Sequence, residues 1–361
     1  MYLHEQDQWT SFTWDDQVIL PLLSDLRFSQ GRLLGRIKDL GFDLEAETES
    51  DTLVSEIIAS SKIEGISLDA EKVRSSVSRQ LGIKQANPHS DTKDVDGIVD
   101  VLFDATRTFS KPLTHERLFA WHAAMFPTGY SGLHRIQVAQ YRDGEMQVVS
   151  GPIGREKVHY MAPAPDLIEM LMSEFIMWFN SDTGVEPLIK AGLAHLWFVT
   201  IHPFDDGNGR ITRALTELLL TRSDRSPRRF YSMAEQILAE REEYYVVLER
   251  TQRGDSDVTL WLVWFLQTLK KAIDQSSEKI NRVLERAGYW RKLEGVPLND
   301  RQRTMLNRLK IGFVGKLTTS KWAKICKVSS DTALRDIKDL VDRGILKQDT
   351  SGGRSTSYSL V

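Results

Sequence analysis

Thirteen consecutive residues, IHPFDDGNGRITR from Ile201 to Arg213, gather one histidine, two carboxylates, two glycines, an asparagine and two arginines. A neutral imidazole at His202 can take a proton from an attacking hydroxyl at physiological pH. Asp206 suits Mg²⁺, a hard cation usually held by one or two carboxylates together with substrate phosphate oxygens. Gly207 and Gly209 let the backbone approach a ligand without a Cβ in the way. Arg210 and Arg213, three residues apart, share a helix face and offer guanidinium forks that match phosphate oxygens in pairs. Together these groups describe transfer at a phosphorus centre, where positioning and charge neutralisation do most of the catalysis. Each has a plainer role when taken alone. A histidine at a helix end is usually structural, Asp205 or Asp206 would serve as a helix cap, and Arg213 would pair with Glu217 at i,i+4. Their coincidence at this spacing outweighs those roles. No GxxxxGK[ST] run is present, and no GxGxxG follows a strand.

These groups need elements to hold them. Leu193, Ala194, Trp197 and Ile201 form an apolar stripe leading into the motif, and Ile211, Ala214, Leu215 and Leu218 form another leading away. The motif is therefore predicted to be a turn between two buried helices. Pro203 ends the first near His202. The second begins at about Gly207–Gly209, so its unpaired N–H groups and positive dipole end face the turn, equivalent to roughly half a positive charge.

Helices are also predicted upstream. Val54, Ile57, Ile58 and Ser61 recur at helical spacing, and Gly65 sits where a helix C-terminus usually places glycine. The polar stretch QANPHSDTKD (85–94) reads as a linker. VDGIVDVLFDATRTF and THERLFAWHAAMF continue the helical pattern, with Thr114 as N-cap. Between 130 and 162 the texture changes. Asp143-Gly144 is a hairpin-type turn, and Val148-Val149 and Val158-His159-Tyr160 predict two short strands around a Gly/Pro-rich tip. The fold class is mainly α with one small hairpin, without internal repeats.

At 361 residues, with 41% hydrophobic and 27% charged residues, the chain has the makeup of a soluble globular protein of two or three domains. No run approaches the ~18 apolar residues of a membrane span, so no membrane partner is expected. The start MYLHEQDQWT lacks a secretory pattern. One cysteine, Cys326, leaves no intramolecular disulfide. A cytoplasmic location is the expectation. The net charge of −3 is uneven: residues 297–361 carry thirteen Lys/Arg against six Asp/Glu, a local +7, leaving −10 for the rest. A basic tail on an acidic body suggests a separate module with a polyanionic partner.

His202-Pro203-Phe204-Asp205-Asp206-Gly207-Asn208-Gly209-Arg210-x-x-Arg213 matches the Fic motif HPFx(D/E)GNGRxxR at every defined position. Over about residues 110–270 the chain resembles the Fic (Fido-fold) core. VHYMAPAP resembles that family's substrate-aligning flap, and REEYYVVLERTQRGD (241–255) resembles its adenine-holding segment. The resemblance implies protein AMPylation: transfer of AMP from ATP, with Mg²⁺, onto a Ser, Thr or Tyr hydroxyl of a target protein or of the chain itself, releasing pyrophosphate. By position it implies His202 as general base and Asp206 as metal ligand. Gly207, Asn208 and Gly209 would form the anion hole, and Arg210 and Arg213 would hold the outer phosphates. Tyr244, Tyr245 and Gln252 would lie along the adenine, although the family often has asparagine at the last position. Val158, His159, Tyr160 and Met161 would align the target's backbone as a strand added to the flap edge.

SSKIEG (60–65) raises a second question. Ser60 and Glu64 are i,i+4, and Glu64 falls in a last helical turn, where the dipole disfavours a carboxylate by about a few tenths of a kcal/mol. Locally it reads as an exposed glutamate before a C-cap glycine. Ser60-x-x-x-Glu64-Gly65 also resembles the family's inhibitory motif (S/T)xxxE(G/N), which implies that Glu64 pairs with Arg213 and keeps it from the γ-phosphate. In some relatives the same glutamate supports AMP removal. The alternatives are thus deAMPylation, transfer of UMP or phosphocholine, or a nucleotide-sensing DNA-binding regulator.

In the tail, LNDRQRTMLNRL, TTSKWAKICKV and SSDTALRDIKDLVDRG predict three short helices, and ILKQDTSGGRSTSYSLV two strands around a Gly-Gly tip. This order resembles a winged helix with 329–344 in the recognition position, from which Arg335, Lys338 and Arg354 would reach DNA. A protein partner is the equal alternative, and Cys326 is expected to pack inside. The domains so read are 1–88, 89–288 and 289–361, with a homodimer left open.

Overall fold

The computed structural model describes residues 1–84, 88–150, 157–349 and 356–361. The start of the predicted linker (85–87), the Gly/Pro-rich tip (151–156) and the Gly-Gly tip with Arg354 (350–355) lie outside the described residues. Two compact units emerge, Met1–Asn281 and Arg282–Val361. In chain order the first contains α1 (Asp16–Ile37), α2 (Phe42–Ile63), α3 (Ala70–Leu81), α4 (Lys93–Arg107) and α5 (His115–Met125). The short strands β1 (Tyr130–Ser131), β2 (His134–Arg135), β3 (Gln147–Ser150) and β4 (Lys157–Met161) follow. Then come α6 (Ile168–Asn180), α7 (Pro187–Ile201), α8 (Asn208–Asp224), α9 (Met233–Ala239), α10 (Arg241–Gln252) and α11 (Thr259–Lys292), whose residues from Arg282 on belong to the second unit.

The helices α7 and α8 form the centre. Glu186 caps α7, accepting from Leu188 N at 2.7 Å and Ile189 N at 3.1 Å, with Pro187 at the first helical position. Every residue from Ala191 to Ile201, and every residue from Arg210 to Thr221, is buried. The two stripes seen in the sequence are thus faces of helices buried on all sides. Gly192 lets α11 come close: a Cβ there would lie 3.0 Å from Phe265, and Trp261 Nε1 donates to the Gly192 carbonyl at 2.7 Å. The N-terminal helices pack into this same unit. α2 lies against α3, α4, α8 and α9, with Leu53, Val54, Ile57, Val73, Val77 and Val99 in one apolar cluster.

β3 and β4 pair antiparallel, with the register shifting between Val148 and Val149. Asp143-Gly144 does not turn that hairpin. β3 begins at Gln147 and, among the described residues, pairs with β4 alone, so the turn joins no strand paired with β3.

The second unit holds α12 (Asp300–Gly312), β5 (Leu317–Thr318), α13 (Thr319–Cys326), α14 (Ser330–Asp342), β6 (Leu346–Gln348) and β7 (Ser357–Leu360). Its core is built on Met305, Leu306, Trp322, Ile337, Leu340 and Leu346. The two expected strands are joined by β5, giving the order β5-β7-β6. Cys326 is partly buried against this core, and burial raises its thiol pKa. Arg335 and Lys338 are exposed on α14.

Behind α8 lies a buried ionic cluster. Arg229 Nε donates to Glu217 Oε2 at 2.7 Å, and Arg229 also pairs with Asp224. Arg213 therefore does not pair with Glu217. Burial pushes the Glu217 carboxyl up to about 8, against the pull of Arg229. A carboxyl with a raised folded pKa contributes stability that is complete below its unfolded value, near 4.5, and lost as pH rises through the folded one. The unfolding free energy of the first unit is expected to fall between pH 5 and pH 8, by up to about 1.4 kcal/mol per pH unit. Glu217→Gln, locked neutral, should flatten that slope. Denaturant midpoints for both proteins at the two pH values check it, and equal slopes would assign the titration elsewhere.

Candidate active site

α7 stops at Ile201, and His202 takes a left-handed conformation (φ 51, ψ 58) before Pro203. That conformation costs a non-glycine residue about 1–2 kcal/mol, so neighbours must hold it. Arg142 does so. Buried, it donates from Nε to the His202 carbonyl at 2.8 Å, and its backbone N–H donates to the Pro203 carbonyl at 2.9 Å. The same guanidinium reaches the carbonyls of Pro163 (2.7 Å) and Gly144 (2.8 Å). A cation at the C-terminal carbonyls of a helix also meets the negative end of its dipole.

From α5, His122 accepts from Ala139 N at 3.3 Å through Nδ1, so Nε2 donates to the Asp206 carbonyl at 3.1 Å. Its ring stacks on Phe204 with centroids 4.4 Å apart. The Asn208 side chain turns inward. It accepts from Phe204 N at 2.9 Å and donates to Phe204 O at 2.7 Å, bracing the turn and leaving the Asn208 backbone N–H as its anion donor. Gly207 is left-handed (φ 81), and a Cβ on it would lie 2.9 Å from Phe126.

His202 is half-buried. Its Nδ1 lies 3.2 Å from the Val199 carbonyl, which fixes the proton on Nδ1 and leaves the Nε2 lone pair as the base. Burial lowers its pKa below 6.5, only partly offset by that hydrogen bond. Asp205 accepts from Gln137 N at 2.8 Å. Asp206 accepts from the Ser131 hydroxyl and Gly207 N–H, and lies 3.7 Å from Arg210 Nη2. Neither aspartate is the N-cap of α8, which is Gly207.

A cavity of about 530 Å³ opens beside this turn. It brings together His202, Asp206, Gly207, Asn208 and Gly209 at one end with Tyr244, Tyr245 and Gln252 along α10. Glu64, His159 and Tyr160 also line it. Tyr244 is anchored through His195 Nε2 (3.1 Å), and Gln252 donates to Thr200 Oγ1 at 3.3 Å. Full burial lowers His195 to about 3, keeping it neutral.

Arg210, Arg213, Val158 and Met161 are not in the cavity wall. Arg210 lies under Asp206 with its guanidinium 4.8 Å from the Phe126 ring, and its Nε and Nη2 are buried with no hydrogen-bond partner. Such orphaned donors are expensive unless an anion meets them. Arg213 is engaged on its other side. It donates from Nε to Ser60 Oγ (2.9 Å) and from Nη2 to Ser60 O (2.8 Å) and Glu64 Oε1 (2.7 Å). Gly209 makes room for this carboxylate: a Cβ there would lie 2.0 Å from Glu64 Oε1. Glu64 thus rests against the first turn of α8, where a phosphate would sit. Gly65 follows with φ 77, and Arg241 Nε caps the Ile63 carbonyl at 2.9 Å.

The flap strand β4 is held residue by residue. Arg253 donates to the carbonyls of Val158 (3.3 Å) and His159 (3.0 Å), the His159 ring meets Glu249 at 2.7 Å, and Tyr160 OH donates to Thr200 O at 2.7 Å. A strand added at those two carbonyls would have to displace Arg253.

Among the described residues no group of three or more His, Cys, Asp or Glu is placed to hold a metal. Asp206, which lines the cavity together with Glu64, Asp205 and Glu249, would suit Mg²⁺ that arrives with a triphosphate supplying most of its oxygens. No described helix is long and apolar enough to cross a membrane.

Residues 112–220 match the family model described as Fic/DOC family, and residues 2–83 match one described as a domain of unknown function (DUF4172). A 113-residue stretch is 34% identical to the protein adenylyltransferase Fic of Drosophila ananassae, covering 30% of this chain and 22% of that protein. The Drosophila melanogaster protein of the same name matches at the same identity and coverage. The matched stretch thus spans about a fifth of the length of these curated relatives. A crystal structure of a Fic family protein from Desulfovibrio desulfuricans superposes with a TM-score of 0.54 at 19% identity, over 95% of this chain and 96% of that one. A Fic domain containing signaling protein from Bacteroides thetaiotaomicron gives 0.53 at 19%, over 71% and 97%. At such identity the likeness is one of fold.

Proposed function

The chain is a Fic-family protein, and from that premise we propose that it transfers AMP from ATP to a hydroxyl side chain of a target protein, restrained by Glu64. One observation carries the reading: a single cavity joins a neutral His202, the first turn of α8 and an aromatic wall on α10. The triphosphate would lie at the α8 end, where first-turn N–H groups lack intrahelical acceptors. The adenine would lie along Tyr244, Tyr245 and Gln252. His202 Nε2 would take the proton of the target hydroxyl as its oxygen attacks the α-phosphorus. The bond from that phosphorus to the bridging oxygen breaks, and pyrophosphate leaves. Asp206 would hold Mg²⁺, which when bound offsets negative charge on the phosphate oxygens.

Intact mass of Glu64→Gly after incubation with ATP and Mg²⁺, alone and with candidate targets, tests the reaction. A gain of one AMP on a protein is the expected result. A gain only from UTP or a choline-linked diphosphate would reassign the transferred group. No gain with any donor would favour a nucleotide-sensing regulator.

Asp206→Ala is expected to lower transfer on the order of 10²-fold, since offsetting phosphate charge is worth several kcal/mol. It should also shift the Mg²⁺ titration to higher concentration. Identical titration curves for the two proteins would place the metal elsewhere.

A further inference from the structure

The last four carbonyls of a helix have no intrahelical donor and must find one elsewhere. At the C-terminus of α2 all four are taken. The Ser61 carbonyl accepts from Glu64 N (3.1 Å) and Ile66 N (3.0 Å), and the Lys62 carbonyl from Gly65 N (3.0 Å). The other two are met from outside the helix: Ser60 O by Arg213 Nη2 at 2.8 Å, and Ile63 O by Arg241 Nε at 2.9 Å. Tyr245 OH also donates to Ile63 O, at 3.4 Å. Glu64 is the next residue, the C-cap of α2. Its carboxylate therefore leaves the chain between two guanidinium clamps, one from α8 and one from α10.

Helix ends are where a fold opens most readily, and a carboxylate on a frayed turn has no fixed approach to Arg213. Further back, α2 is anchored differently. Buried Glu56 accepts from Ser232 Oγ at 2.7 Å and Ala234 N at 3.0 Å. That anchor lies about two turns before Glu64, so the last turn is left to the two arginines. If a triphosphate draws Arg213 away, Arg241 is the charged donor that remains on the helix end. Arg241 is also the first residue of α10, where the dipole disfavours a cation and favours the acids that follow, Glu242 and Glu243. That local cost is offset across the gap, at the negative end of α2.

We propose that Arg241 is a positioning residue for the restraint: by holding the Ile63 carbonyl it keeps Glu64 seated on Arg213. The assignment rests on the restraint by Glu64 proposed above. It extends that restraint to a residue outside both the Ser60–Gly65 segment and the α8 motif.

Hydrogen exchange in the nucleotide-free full chain tests the clamp directly. Arg241→Ala is expected to speed exchange of the Glu64, Gly65 and Ile66 amides several-fold, and to leave the Ala234 amide, which donates to Glu56, unchanged. Arg241→Lys keeps a cationic donor and should restore much of the protection. Arg241 is exposed, so alanine leaves no buried void. Unchanged exchange at those amides overturns the proposal. The link to Glu64 is read from the ratio of ADP to ATP dissociation constants with Mg²⁺. This ratio isolates the γ-phosphate and cancels what Arg241, which lines the cavity, gives to the rest of the nucleotide. Arg241→Ala should raise it several-fold in the parent and leave it unchanged in the Glu64→Gly background, because both changes act through one contact. An equal rise in both backgrounds, or none in the parent, overturns the proposal as well. If Glu64→Gly alone leaves the ratio unchanged, the restraint proposed above fails, and exchange alone decides whether Arg241 holds the helix end.

Discussion

Replacing His202 with alanine is expected to lower AMP transfer by ~10²–10⁴-fold, the usual cost of losing a general base, while ATP affinity stays within a few-fold of the parent. The separation follows from placement. His202 caps α7, whereas the groups proposed to bind phosphate belong to the next helix, so removing the imidazole would leave them in place. The proton on Nδ1 is committed to the Val199 carbonyl, so Nε2 is the nitrogen with a lone pair to offer. Burial lowers the pKa, keeping the base unprotonated at neutral pH. The acid limb of the pH–rate profile should therefore fall below 6.5 and vanish in the alanine variant. Single-turnover rates with labelled ATP, alongside equilibrium binding of the same nucleotide, separate the two effects. Turnover within a few-fold of the parent would remove His202 from the mechanism.

The turn between two buried helices is legible because proline, paired glycines and flanking apolar stripes are local signals. His202, Asp206 and the α10 residues line one cavity. What the sequence hides depends on contacts between distant positions. Arg142 stands in YRDG, which reads as a turn, yet it holds carbonyls about sixty residues further on. His122 looks like one polar residue in a helix, and its hydrogen bond to Asp206 spans 84 positions. Asn208 reads as an anion-hole donor, but burial commits its amide to Phe204. The two arginines share a helix face as expected, yet neither lines the cavity: Arg213 is engaged by Ser60 and Glu64, and Arg210 lies against Phe126 and Asp206. β5 is only two residues long, too short for an alternating pattern to register.

That covering helix carries the largest expected gain. Glu64→Gly should raise AMP transfer roughly 10- to 10³-fold, a range that positioning alone can supply. Two competitions end at once. The carboxylate leaves Arg213 Nη2, 2.7 Å away, and it vacates the space over Gly209 at the positive end of α8. Arg213 should keep its place, because Ser60 still accepts from it twice. An oriented guanidinium would then be free for the γ-phosphate, drawing the α-phosphate into line with the hydroxyl near His202. Glu64→Gln separates the two contributions, since it keeps the bulk and removes the charge. Strong activation by glutamine would identify the charge, and activation by glycine alone would identify the occupied space. The arginine supplies the deciding control. Arg213→Ala should be poorly active, and adding Glu64→Gly to it should change the rate by no more than about twofold beyond the relief of bulk, taken as the gain of Glu64→Gly over Glu64→Gln, because residues acting as one pair are not additive. Equal stimulation with and without Arg213 would mean that Glu64 restrains the enzyme by some route other than this ion pair.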